Sequence, residues 1–103
     1  MPRVRSELEQ LQDSAAQAAA LLQSVGNQHR LLVLCLLIAQ GEMTVGAINE
    51  MVALSPSALS QHLARMREDG LVTFRREAQT LYYRIEDPNV ARLIATLKDI
   101  FCP

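Results

Sequence analysis

The hydrophobic period of this chain changes at Gly70, and that change limits the folds open to it. Before Gly70 apolar residues recur every three or four positions, as helices require. After it, Leu71-Val72-Thr73-Phe74 and Leu81-Tyr82-Tyr83-Arg84-Ile85 read as two strands rich in β-formers. The order is four helices, one hairpin and a last helix, which makes the chain mainly α with a β-hairpin (α+β). Its 103 residues allow one domain, residues 1–103.

Each helix carries its own boundary signals. Residues 6–23 are rich in Ala, Leu and Gln, and Leu8, Leu11, Ala15, Ala18 and Leu22 form a heptad seam. The seam is too short for a free coiled coil and suits a helix packed on a partner or on its own chain. A second helix runs from Asn27 to Gln40 with Gly41 as its stop, and its Leu31–Ala39 interior is apolar enough to be buried. Thr44 caps a short third helix with Val45, Ile48 and Met51–Val52 turned inward. Ser55-Pro56 starts a fourth that buries Leu59, Leu63 and Met66 and ends at Gly70. The strands flank a polar tip, Arg75–Thr80. Asp87-Pro88 then opens the last helix, whose stripe is Val90, Leu93, Leu97 and Ile100, with Ile94 and Phe101 beside it.

Half the residues are apolar, yet a domain this small buries only about 65% of its unfolded surface. The surplus of aliphatics predicts a second copy, joined through the first helix (Leu8, Leu11, Ala15, Ala18, Leu22) and the last (Val90, Leu93, Leu97, Ile100). The start of the chain has no apolar core at signal-peptide distance, and the longest dense apolar run is nine residues. The expectation is a cytoplasmic protein with no membrane partner. A pair of cysteines, Cys35 and Cys102, is no structural framework in that compartment; it is two inert thiols or a reversible switch.

A short helix, a turn, a polar-faced helix and a basic hairpin make a winged helix-turn-helix. The major groove of double-stranded DNA admits one α-helix, whose N-terminal part reaches base edges. Ser57, Ser60 and Gln61 can bond bases or phosphates there, Arg65 can read guanine or clamp a phosphate, and Arg75 and Arg76 at the hairpin tip would lie on the backbone or in the minor groove. Ser55 is a cap that can also touch phosphate, and His62 is either a DNA contact or a helix-surface histidine. His29 reads as a helix-start or packing residue. Arg67 and Arg84 are solvated or paired with Glu68 or Glu86. Net charge over residues 57–84 is +2, against −3 for the rest of a chain whose total is −1. That balance excludes bulk coating of DNA and fits a local reader.

The run Leu54-Ser55-Pro56-Ser57-Ala58-Leu59-Ser60-Gln61-His62-Leu63-Ala64-Arg65-Met66-Arg67-Glu68-Asp69-Gly70-Leu71-Val72 resembles the recognition helix and strand entry of the ArsR-type winged-helix repressors. Tyr82-Tyr83-Arg84-Ile85 resembles that family's second wing strand, and the similarity covers nearly the whole chain. The resemblance implies a homodimeric repressor on a palindromic operator, released by an inducer. Metal-sensing members use Cys-x-Cys in the third helix, or Asp and His in the last. Thr44–Val52 holds no Cys and Asp87–Pro103 no His, so no metal ligand and no cofactor is assigned.

Cys35, within Val33-Leu34-Cys35-Leu36-Leu37, and Cys102, within Asp99-Ile100-Phe101-Cys102-Pro103, resemble instead the thiol-based, persulfide- and oxidant-responding branch. That likeness implies that the two cysteines approach each other. A disulfide or polysulfide bridge would then release the operator that the reduced form binds. Two other readings stay open: a regulator of this type sensing a thiophilic metal, haem or another ligand through the same thiols, and a protein-interaction module that does not use DNA. No motif supports an enzyme: there is no phosphate-cradling Gly-rich loop and no His-Glu-x-x-His.

Overall fold

The computed structural model describes residues 6–102, so the charged opening Met1–Arg5 and the terminal Pro103 lie outside the described residues. The elements are α1 (Glu7–Val25), α2 (Gln28–Gln40), β1 (Met43–Thr44), α3 (Val45–Met51), α4 (Pro56–Glu68), β2 (Val72–Glu77), β3 (Thr80–Ile85) and α5 (Pro88–Phe101). Five helices and a three-stranded antiparallel sheet of order β1-β3-β2 form a winged helix-turn-helix.

Local chemistry sets the helix ends. Ser6, Asn27, Thr44, Ser55 and Asp87 each accept a backbone N–H of the first turn that follows. The chain bends by 91° between α1 and α2. Gly26 sits at that bend, where an added Cβ would lie 2.7 Å from the Leu22 carbonyl oxygen. At the end of α4, Gly70 takes φ +76° and donates its N–H to the Arg67 carbonyl, while the Leu71 N–H reaches the Met66 carbonyl. These two bonds form the Schellman stop that turns the chain from α4 into β2.

The core is aliphatic and centred on α2. Val33, Leu34 and Leu37 are buried against Ile48, Leu59, Leu63, Met66, Val72, Val90 and Ile94. α2 packs on α5 and β3, α3 on α4 and β1, and α4 on β2. In the helix-turn-helix, the Asn49 side-chain amide donates to the Leu54 carbonyl at 2.9 Å and holds the turn between α3 and α4.

Several expectations change. A third strand exists because Met43–Thr44 pairs with Tyr83 and Tyr82; two residues are too few to show a period. The hairpin loop is only Ala78-Gln79, since β2 and β3 pair from Val72↔Ile85 out to Glu77↔Thr80. Arg75 and Arg76 therefore lie on a strand and not at the tip. Met51 faces solvent, as do Leu32 and Ala39 of α2. Val90, expected in the shared seam, is fully buried in its own chain: α5 docks on α2 through Val90 and Ile94, one turn apart.

Gly70 has no heavy atom within 4 Å of a built Cβ, so only the backbone resists a side chain there. Gly70→Ala should cost about 1 kcal/mol, read as a lower urea midpoint with an unchanged m-value. An unaltered midpoint would show that the left-handed stop does not hold α4.

Candidate functional site

α4 presents Ser57, Ser60, Gln61, Ala64, Arg65 and Glu68 to solvent, opposite the buried Leu59, Leu63 and Met66. Ser55 is confirmed as the cap: its Oγ accepts the Ala58 N–H at 3.1 Å and lies 3.5 Å from Ser57 Oγ. The result is a face of small polar groups at a helix N-terminus, where a duplex can approach closely and where free N–H groups attract phosphate.

The rear of α4 is braced. Arg30 of α2 donates from Nε to His62 Nδ1 at 3.2 Å and from Nη1 to the Ser24 carbonyl at 3.1 Å. The His62 ring is half-buried, 5.9 Å from that of His29. Burial first, then the Arg30 and His29 charges, push its pKa below the ordinary histidine range. A neutral imidazole that accepts at Nδ1 is thus the form present near neutral pH. His62, read from the sequence as either a DNA contact or a helix-surface histidine, has its Nδ1 turned to Arg30. At the other end of α4, Ser24 Oγ donates to Asp69 Oδ2 at 2.6 Å, and Arg65 Nε reaches the same oxygen at 3.0 Å. These bonds hold the Asp69 carboxyl below its usual range, Ser24 contributing most. Neither Arg30–His62 nor Ser24–Asp69 was legible in the sequence, because the partners stand 32 and 45 positions apart.

The arginines at the end of α4 and on the wing divide into held and free. Arg67 stacks on Phe74, its guanidinium carbon 4.2 Å from the ring centroid. Arg75 lies over Tyr82 at 4.3 Å, is gripped by both Glu42 oxygens through Nε and Nη2 at 2.9–3.1 Å, and reaches Glu77 through Nη1 at 2.9 Å. The hydrogen bonds to Arg75 lower the Glu42 pKa, and those to Glu42 and then Glu77 raise that of Arg75. Arg75, expected at the hairpin tip on the DNA backbone or in the minor groove, is held within its own chain in this structure. Arg76 and Arg84 are exposed, and among the described residues neither side chain has a hydrogen bond or ion pair.

A second feature lies between α2 and the end of α5. Leu31, Cys35, Leu97, Lys98, Phe101 and Cys102 line a cleft of about 270 Å³. Cys35 is half-buried on α2; Cys102 is exposed at the C-cap of α5, its N–H bonded to the Lys98 carbonyl at 2.7 Å. Burial pushes the Cys35 thiol up, the Lys98 ammonium opposes that rise, and Cys102 adds a small upward push. Both thiols are free in this structure. Among the described residues no group of three or more His, Cys, Asp or Glu could hold a metal ion.

The expected seam residues of α1 stand open: Leu8, Leu11 and Leu22 are 64%, 66% and 55% exposed, and Ala15 and Ala18 are also exposed. On α5, Leu93 and Leu97 are half-buried against the core, while Ile100 and Phe101 are exposed.

A helix-turn-helix with a polar recognition face and a paired-strand wing defines a DNA-binding regulator of the winged-helix class. The chain matches the model of the bacterial regulatory protein, arsR family, over residues 27–73. It is 48% identical over 98 residues to the HTH-type transcriptional regulator YgaV of Escherichia coli strain K12, covering 95% of this chain and 99% of that protein. Reduced HlyU from Vibrio cholerae superposes with a TM-score of 0.87 at 40% identity, over 92% of this chain and 99% of that one. The transcriptional repressor BigR from Xylella fastidiosa superposes with a TM-score of 0.83 at 32% identity, over 95% and 99%. This protein belongs to the arsR family of DNA-binding transcription regulators.

Lys98 is the positive charge beside the half-buried thiol. Lys98→Met should shift the pH profile of Cys35 alkylation by iodoacetamide to higher pH and leave Cys102 alkylation in place. Peptide mass mapping separates the two sites. Coincident Cys35 profiles for variant and parent would show that Lys98 does not act on this thiol.

Proposed function

We propose that the chain is a homodimeric repressor whose reduced form binds a palindromic operator through α4 and the wing. A bridge between Cys35 and Cys102 causes release. The observation that carries the thiol part is the shared cleft: one cysteine on the core helix α2 and one at the C-cap of α5 both line it, together with Lys98. A relative from Vibrio cholerae solved in a form designated reduced supports a redox-dependent state in this part of the family.

Ser57, Ser60, Gln61 and Arg65 on α4 and Arg76 on the wing are the proposed DNA contacts, with the cap residue Ser55 at the phosphate. Leu8, Leu11, Ala15, Ala18 and Leu22, with Leu93, Leu97 and Ile100, are the proposed dimer surface. The inducer is a small persulfide or oxidant, acting on a cytoplasmic protein that needs no cofactor.

The chemistry balances with a persulfide alone. Exposed Cys102 meets the reagent first. Its thiolate attacks the outer sulfur of RSSH, the S–S bond breaks, and RS⁻ leaves with Cys102 persulfidated. The Cys35 thiolate then attacks Cys102 Sγ, forming the protein disulfide and expelling HS⁻. If a further sulfur is first transferred to Cys102, attack of the Cys35 thiolate on the sulfur bonded to Cys102 Sγ breaks the bond to the terminal sulfur, expels HS⁻ and gives a trisulfide. The sulfane sulfur is the oxidant: it is reduced to hydrosulfide as two cysteines become one bridge. With peroxide, Cys102 becomes a sulfenic acid, water leaves, and Cys35 closes the bond as a second water forms.

Bridging residues 35 and 102 constrains the chain by about 4 kcal/mol in the loop-entropy model. An operator affinity change of about 1–3 kcal/mol is typical of coupled sites.

The test uses an operator selected from a random-sequence duplex pool by the reduced protein. Persulfide donor should weaken binding by about tenfold or more, with intact mass showing the loss of two hydrogens or the gain of sulfur. Cys35→Ser and Cys102→Ser should each keep reduced-state affinity and no longer respond. A serine variant that still releases DNA on treatment defeats the thiol switch.

A further inference from the structure

The wing holds a carboxylate where a DNA-binding surface ordinarily keeps free cations. Glu42 sits between the end of α2 and β1, and both its oxygens meet the Nε–Nη2 edge of Arg75. That edge is the one that recognises a phosphate or carboxylate bidentately. Glu77 holds Nη1, and Tyr82 lies under the plane of the guanidinium. The ion pairs are partly exposed, with 45% of the Arg75 side chain and 32% of that of Glu42 accessible. Solvent screening leaves such pairs little value for stability. Their geometric consequence is larger: the flat face and the bidentate edge of one wing arginine are both occupied.

Register sharpens the contrast. Arg75 stands opposite Tyr82 on the sheet face that also carries Thr73 and Arg84, whereas Arg76 opposes Leu81 on the other face. The side chains of Arg76 and Arg84 have no hydrogen bond or ion pair among the described residues, although the Arg84 charge also acts on Glu42. Three wing cations with different freedom thus stand within ten positions of one another. Of the three, Arg75 is the one tied to the body through Glu42.

We propose that Glu42 is a positioning residue for DNA binding: by occupying the Nε–Nη2 edge of Arg75 it withholds that guanidinium from sequence-independent phosphate contact and keeps it as a brace of the wing. A freed Arg75 would add one phosphate contact wherever the protein touched a duplex. It would raise affinity for all sequences alike and so lower the ratio of specific to non-specific binding. The inference rests on DNA binding through α4 and the wing and is independent of the thiol switch.

The test is a double-mutant cycle of Glu42→Gln and Arg75→Gln in the full chain, read as the salt dependence of binding to a fluorescent duplex of mixed random sequence. Both changes lie on exposed or half-exposed positions, and circular dichroism checks that each variant keeps the parent spectrum. Glu42→Gln should tighten binding severalfold at low salt and steepen the log–log salt slope by about 0.9, the value for one added phosphate contact. Arg75→Gln alone should leave the slope unchanged, and Glu42→Gln should have no effect in the Arg75→Gln background.

An equal effect of Glu42→Gln in both backgrounds overturns the proposal, because the cause is then loss of a negative charge at long range. An unchanged slope in Glu42→Gln overturns it too. So does a shallower slope in Arg75→Gln alone, which would show that Arg75 already contacts phosphate. A flat salt response of the parent chain removes the DNA reading and this inference together, whereas a steep parent slope with no effect of Glu42→Gln removes only this one.

Discussion

The burial of α2 is the constraint on which the rest of the molecule depends. Val33, Leu34 and Leu37 have at most 1% of their surface exposed; α2 packs on α5 and β3, and these side chains share one core cluster with buried residues of α3 and α4. Removing one such side chain to alanine costs about 2–5 kcal/mol in a core of this kind. A helix of this length is about 20 Å long, and three functional elements are fastened along it. Arg30 near its start holds His62 of α4, Cys35 in its middle faces the end of α5, and Glu42 just past its stop grips Arg75 of the wing. A close-packed core transmits displacement rather than absorbing it. A change in how α5 sits on α2 therefore has fixed routes to both α4 and the wing.

α5 is built for unequal attachment. Its first half is anchored by Val90 and Ile94, both fully buried, while Ile100 and Phe101 are 65% and 76% exposed. A bond from Cys35 to Cys102 would act on the loosely held end, where reorganisation opposes the least packing. The same last turns carry the exposed apolar groups Ile100 and Phe101, which belong to or adjoin the proposed dimer surface. In the proposed switch, bridge and dimer surface thus share one helical turn, and the path from sulfur chemistry to the separation of two recognition helices is short. Half-sites recur about 34 Å apart on a duplex, so modest rotations of the two copies misplace α4.

What the sequence disclosed depended on how local its cause was. The caps Thr44, Ser55 and Asp87, the stops Gly41 and Gly70 and the α4 core triplet Leu59, Leu63 and Met66 act within four or five positions. All could be read directly. β1 could not, because two residues carry no period and become a strand only through Tyr82 and Tyr83, about forty positions on. Arg75 was misplaced for the same reason: its anchor Glu42 is 33 residues distant. On α5 the spacing of Val90, Leu93, Leu97 and Ile100 suggested one stripe. The helix in fact buries Val90 and Ile94 in its own chain and leaves Ile100 and Phe101 outside. A helix with apolar groups over a wide arc offers two faces, and spacing does not say which one the chain keeps for itself.

The shape of a single copy bears on the proposed dimer. Its radius of gyration is 16.3 Å, whereas a compact chain of this length has about 13 Å. Its long dimension of 57 Å against 21 Å comes with an α1 whose Leu8, Leu11, Ala15 and Ala18 are exposed and whose burial begins only at Ser24 and Val25. A helix of 19 residues with a leucine seam and little contact to its own body has few means of holding that form alone. The hydrophobic surplus seen in the composition is concentrated there and on the last turns of α5. A second copy laid across both would cover it, and in doing so would fix the distance between two copies of α4.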